Sequence, residues 1–339
     1  MNTQLPTLEF VLKHYKNYNA RALRDSLIAY WRHTEKGGKM FWAVAGAMST
    51  AQLGITLAPA IREGLISGMS VTGANIEESL FRLVAHSHYK DISDYRYLSK
   101  EDDTKLLNAS MHRVTDTSIP GDEAFKSIEE RIIPMWKKAS ESGDRKFWHE
   151  YLYEIARTLP AEFHDGNIDE CWIVEAAKLN IPIVVPGYED STLGNVFSSL
   201  IKDGECNPSA AKSGAEYMVA WYDQYQTLSE GEGVGFFQIG GGIAGDFPIC
   251  VVPSIKYDLK KDAKPWAYFC QISDSTTSYG SYSGATPNEK ITWDKLTKET
   301  PMFVIESDAT IVAPLILTAL LECKRNPKEA NELIAKYGY

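Results

Sequence analysis

Apolar positions recur along this chain in blocks whose period changes from helical to strand-like and back. Leu8, Val11 and Leu12, then Leu23, Leu27 and Trp31, repeat at helical spacing, so two short helices are expected between about Leu8 and Thr34. Lys36-Gly37-Gly38 breaks the pattern, and the apolar run Met40–Ala45 suits a strand buried on both faces of a parallel sheet. Gly46–Thr50 then turns into a helix through Ile61, with Ser49 or Thr50 as its N-cap. The unit repeats with a strand at Met69–Val71, the turn Thr72-Gly73-Ala74, and a helix through Leu83. The segment from His86 to Ser118 is polar and irregular and reads as an excursion between the halves of the sheet.

Further helices are expected over Asp122–Trp136, Phe147–Leu159 and Glu170–Leu179, then a strand at Ile181–Val185 and a loop through Asn195. Ala210–Thr227 is again helical, and Phe236–Ile239 is a strand that delivers Gly240-Gly241-Gly242-Ile243-Ala244-Gly245. That run meets G-x-G-x-x-G after a strand, as a dinucleotide fingerprint does, yet Pro248 and Pro253 interrupt the helix that should follow, so a plain glycine turn stays open. Strands at Trp266–Ile272 and Met302–Ile305 and a helix over Val312–Cys323 close the pattern. Strand-like segments alternating with helices predict an α/β fold: a Rossmann-like, mostly parallel, doubly wound sheet with helices on both faces. No linker, repeat or low-complexity stretch divides it, so a single domain is expected over 1–339, with a helical segment at 1–38, an α/β core at 39–325 and a helical tail at 326–339.

In such sheets ligands bind beyond the carboxyl ends of the strands. Most of the loops expected there are built from Gly, Ala, Ser, Thr and Asp, which permit close approach to a polar ligand. The net charge of −10 argues against a general nucleic-acid binder. Five scattered cysteines without C-x-x-C give no disulfide framework and no zinc site, and suit a reducing cytoplasm. With no secretory signal and no apolar run of about 18 residues, a cytoplasmic protein without a membrane span is expected.

All seven histidines precede residue 165 and G-x-S-x-G is absent, which weakens a Ser-His-Asp hydrolase and a histidine-ligated metal; no metal is expected. His86-x-His88 reads as a solvated pair, since residues two apart do not share a helix face. The nucleophile left is Lys295, in Tyr279–Lys295 with Glu289 and Trp293. A lysine attacks only as the neutral amine, which calls for a dry site or a neighbouring cation. Trp293 offers an apolar wall and a cation–π face, and Glu289 can hold the far end of a diamine. On residue types alone, a solvated surface turn stays open beside this reading.

The run G-S-x-S-G-A-x-P-x-E-x-x-x-W-x-K from Gly280 to Lys295 resembles the deoxyhypusine synthase family, with I-G-G-G at Ile239–Gly242, T-G-A-N-I-E-E at Thr72–Glu78, E-D-S-x-x-G at Glu189–Gly194 and S-D-A at Ser307–Ala309. Y-N-A-R-A-L at Tyr18 and R-V-T-D-T-S-I-P at Arg113 fit its bacterial deoxyhypusine synthase-like branch. The resemblance implies an NAD-dependent transferase that oxidises spermidine, holds the butylimine as a Schiff base on a lysine, passes it to an acceptor amine and reduces the product. It implies Lys295 as that lysine. Glu289, Trp293, Gly280 and Ser281 match its polyamine site, and Glu77 and Glu78 a pair near the donor end. Ser49, Thr50, Thr72, Gly73, Ala74, Asp190, Gly240, Gly241, Gly242, Ser283, Asp308 and Ala309 are the expected NAD contacts. It also implies a homotetramer with sites at subunit interfaces.

Three positions depart from the eukaryotic pattern. Tyr282 and Asn195 stand where acids are expected, and Asp246 where a histidine is expected. Diamine recognition is therefore expected to be rewritten around a retained lysine. A homospermidine synthase-like enzyme with putrescine as acceptor is one outcome, and a non-catalytic NAD- or polyamine-binding remnant another.

Overall fold

The computed structural model describes residues 4–339. In chain order the strands are β1 (Lys39–Val44), β2 (Gly68–Val71), β3 (Lys90–Asp91), β4 (Met111–Val114), β5 (Thr117–Pro120), β6 (Ile183–Val184), β7 (Val234–Ile239), β8 (Tyr268–Ser273) and β9 (Met302–Glu306). Six of them form one parallel sheet in the order β6-β2-β1-β7-β8-β9. The chain winds outward from β1 in one direction, returns beside β1 at β7 and winds outward in the other. That is the doubly wound order of dinucleotide-binding folds, with its reversal, and hence its crevice, between β1 and β7.

Burial on both faces explains why these strands read as continuous apolar runs. Phe41 stacks towards Phe236 on one face and packs against Trp221 of the helix Gly214–Leu228 at 4.5 Å. On the opposite face Trp42 stacks on Phe237 at 4.2 Å, and its indole N–H donates to the Tyr30 hydroxyl of the helix Tyr18–Glu35. Alternate residues of one strand thus anchor helices on opposite sides. Among the described residues no helix is long and apolar enough to cross a membrane.

Several local expectations are corrected. The irregular excursion contains a three-stranded antiparallel sheet, β3-β5-β4, and a helix Lys100–Asn108 with a Ser99/Asp102 capping box. β3 has two residues and β4 is Met-His-Arg-Val, too short and too polar to show an alternating apolar pattern. The helix expected from Ser49 or Thr50 starts at Gly54 instead, because the Ser49 hydroxyl is spent on donating to the Asn75 carbonyl and accepting from the Trp172 indole. The helix after the glycine run does form, over Gly242–Ile249. Pro248 lies near its end, and burial of Ala244, Ile249, Val251 and Val252 holds the successive short turns in place.

Candidate functional site

At the carboxyl ends of β1 and β2, Asn75 ties two loops together. Its side-chain N–H groups donate to the carbonyls of Val44 and Gly46, at 3.0 and 2.9 Å, and its Oδ1 accepts from the Ser49 backbone. Thr72 caps the helix Gly73–Ala85: its hydroxyl accepts from the Asn75 N–H and donates to Gly46 O at 2.8 Å. Thr72→Ala is therefore expected to cost about 1 kcal/mol of stability, read by urea denaturation. Gly73 packs under the next loop so closely that a Cβ there would lie 2.5 Å from the Ser191 side chain, and Ala74 follows it half-buried in the first turn.

Glu77 and Glu78 follow on that helix, both buried. The Glu77 carboxylate accepts the N–H groups of Thr192 and Leu193 at 2.8 and 2.9 Å, closing the N-terminus of the helix Thr192–Lys202. Burial still raises its pKa against those two donors. For Glu78, burial and then the neighbouring Glu77 push the carboxyl up to about 8, and its Oε2 has no hydrogen-bond partner. Thr50 Oγ1 nearby in the same half of the sheet is also buried and unpartnered. Asp190 is exposed, and Asn195 is a helix residue whose amide donates to Ser191 O and Glu189 O.

The other half is organised by two buried glutamines facing each other in register on β7 and β8. Gln238 donates to Gly240 O at 2.8 Å and to Gln271 Oε1 at 3.1 Å, and Gln271 donates to Ser283 O at 2.7 Å. The Tyr282 hydroxyl donates to Gln238 Oε1 at 2.9 Å. These bonds strap the loop carrying Gly280–Ser283 over the glycine turn. Gly240 and Gly242 hold φ of +67° and +57°, and a Cβ on Gly241 would lie 2.0 Å from Ser283 Oγ. This turn follows β7, across the crevice from β1, whereas the dinucleotide fingerprint belongs to the first strand of such a sheet. Asp308 caps the helix Ala309–Arg325 by accepting from the Thr310 N–H at 2.7 Å, with Ala309 as its first residue.

Beneath that strap lies a cleft of about 590 Å³. It gathers Asp246, Gly280, Ser281, Tyr282, Glu289 and Trp293, expected as substrate-site residues, with Lys295, the expected catalytic lysine, and adds Cys250 and Lys290. Asp294 turns the chain between Trp293 and Lys295 with a left-handed φ of 58°, and its carboxylate is held by Lys256 at 2.8 Å. The turn leaves Trp293 62% exposed at the mouth and Lys295 only 7% exposed within. Lys295 Nζ lies 3.4 Å from Asp246 Oδ1 and about 6 Å from the ring centroids of Trp293 (5.9 Å) and Tyr282 (6.0 Å). Burial first, then the Asp246 charge, raises the Tyr282 phenol far above its ordinary range, so it stays a protonated donor.

A family model described as deoxyhypusine synthase matches residues 11–320. The chain belongs to the deoxyhypusine synthase family. Its relatives include a "Probable deoxyhypusine synthase 1" of Methanosarcina acetivorans, 26% identical over 89% of this chain and 86% of the relative. A "Deoxyhypusine synthase-like protein" of Cyanothece sp. is 26% identical over 95% of this chain and 81% of the relative. The fold is shared with the crystal structure of a "putative deoxyhypusine synthase" from Entamoeba histolytica, with a TM-score of 0.52 at 12% identity over 90% of this chain and 88% of that one. Membership of the deoxyhypusine synthase family supports a transferase role.

Sequence reasoning missed Lys290, Asn75 and the Gln238–Gln271 pair. Glutamines inside apolar strands were a usable signal, because a buried amide needs partners and its position in a strand limits where they are. Lys290 carries no such signal.

Proposed function

We propose that this protein is an NAD-dependent transferase that moves an aminobutyl group from a polyamine, through an imine on Lys295, to an amine acceptor. The observation that carries the reading is Lys295 itself, a buried amine in an open cleft beside a carboxylate and an aromatic face. The crevice suits NAD: the strand order reverses there, glycines remove side chains from the turn, and the unpartnered Thr50 and Glu78 atoms offer polar contacts at β1 and β2. Ser49 and Thr72 would contribute there mainly through backbone, their hydroxyls being engaged within the protein. Bound there, NAD would supply the hydride acceptor and, later, the hydride donor that the reaction needs.

Lys295, as the neutral amine, forms the bond to the imine carbon and retains the butyl group while the released amine leaves. Asp246 accepts hydrogen bonds from the Lys295 nitrogen and can hold a proton released there. Trp293 and Glu289 orient a cationic end at the mouth. Tyr282 shapes the wall but, as a protonated phenol fixed by Gln238, cannot pair with an ammonium as a carboxylate does. The exposed aromatic rings of Trp293 and Tyr279 by the cleft support a homo-oligomer in which a second copy covers the mouth.

The test is incubation of purified protein with NAD and a panel of polyamines, alone and with putrescine as acceptor, with products read by mass spectrometry. New secondary amines that require NAD are expected, and their absence across the panel would sink the reading.

A further inference from the structure

The cleft contains one cation more than imine chemistry on Lys295 uses. Lys290 lies on the short turn Pro287–Ile291, is 3% exposed, and its Nζ has no hydrogen-bond partner. Lysines are almost never buried without one. Its nitrogen sits 4.8 Å from the ring centroid of Phe269 and 4.9 Å from that of Tyr282. These rings attract an ammonium but do not replace the hydrogen bonds it loses. The charged groups lining the cleft are Asp246 and Glu289 against Lys290 and Lys295. Of the two amines, Lys295 has Asp246 Oδ1 at 3.4 Å, whereas Lys290 has no acid or other acceptor within hydrogen-bond distance.

We propose that the amine acceptor bound in this cleft is an amino acid, its amine end at Asp246, Glu289 and Trp293 beside Lys295, and its carboxylate paired with Lys290. The proposal rests on the transferase reading and specifies it: the donor stays a polyamine and the amine acceptor carries a carboxylate. It also accounts for Tyr282, where a neutral donor replaces an expected acid in the wall that faces Lys290.

The groups facing Lys290 are Lys295, Glu289, Asp246 and the Tyr282 phenol, which stays protonated. Burial, and next the Lys295 charge, lower the Lys290 pKa to about 8. A bound carboxylate favours its ammonium form, so binding takes up protons near pH 8 and weakens as the pH rises through that value.

The experiment is isothermal titration calorimetry without NAD, comparing 5-aminopentanoate and L-ornithine with putrescine in buffers of different ionisation enthalpy. At pH 7 the carboxylates are expected to bind about tenfold or more tightly than putrescine. At pH 8 their binding should take up about half a proton. Lys290→Met should remove both the preference and the uptake, whereas Lys290→Arg should keep the preference and lose the uptake, its guanidinium being always charged. Putrescine binding as well as the carboxylates, no binding of either, or an unchanged preference in a folded Lys290→Met protein would each overturn the proposal. Because no turnover is needed, such a failure leaves imine formation on Lys295 untouched, and a failure of that chemistry leaves the binding result standing.

Discussion

Lys295→Arg is expected to abolish any adduct that borohydride traps on the protein in the presence of NAD and substrate, and to lower turnover by about a thousandfold or more. Arginine preserves the cation beside Asp246, so the charge balance of the cleft and the strap formed by Tyr282 and Gln238 should survive. A guanidinium, always protonated, has no free lone pair with which to form an imine. The substitution therefore separates covalent catalysis from binding. Thermal stability and cofactor affinity should change little while the adduct, mapped by peptide mass spectrometry to Lys295 in the parent protein, disappears. Full activity in this variant would mean that the lysine is only a wall of the cleft. Asp246→Asn offers a graded comparison. It removes the charge next to the amine but leaves the nucleophile, so trapping should persist at a reduced rate.

The sheet was legible because its strands are buried on both faces and their apolar runs, such as Met40–Ala45 and Phe236–Ile239, have no solvent side to dilute them. Once the strands are placed, the winding rules deliver their loops to one end, which is why Glu289, Trp293 and Lys295 meet Asp246 although 43 or more positions separate them from it in the sequence. What was not legible follows from groups whose partners are distant. Ser49 has the chemistry of an N-cap, but Asn75 and Trp172, 26 and 123 residues away, claim its hydroxyl. Glu77 looks like a free acid on a helix, yet it closes the N-terminus of another helix 115 residues on. β6, with two paired residues, and the small antiparallel sheet exist through tertiary pairing rather than local pattern. Lys290 is the extreme case. Nothing in its neighbours along the chain indicates that the Pro287–Ile291 turn points it inward against Phe269 and Tyr282.

That inward lysine should be visible in the stability of the free protein. Lys290→Met is expected to stabilise the fold by up to about 3 kcal/mol at pH 7, the free energy that corresponds to lowering a lysine from 10.5 to about 8. The direction follows from counting protons. Below about pH 8 both folded and unfolded chains carry the charge, and the folded state bears the full cost of burying it. Between about 8 and 10.5 the unfolded chain binds more protons than the folded one, so the parent protein gains stability with rising pH. Methionine has no proton to lose and fits a site walled by aromatic rings, so the advantage of the variant should be complete at pH 7 and shrink steadily across that window. Guanidinium denaturation of both proteins at pH 7, 8, 9 and 10 measures the difference directly. A constant difference, or a variant less stable at pH 7, would mean that the folded protein already supplies Lys290 with an anion. A shrinking difference means that it is held charged and unpaired at a cost in stability. A charge that costs the free fold stability in this way fits use by the ligand rather than by the fold.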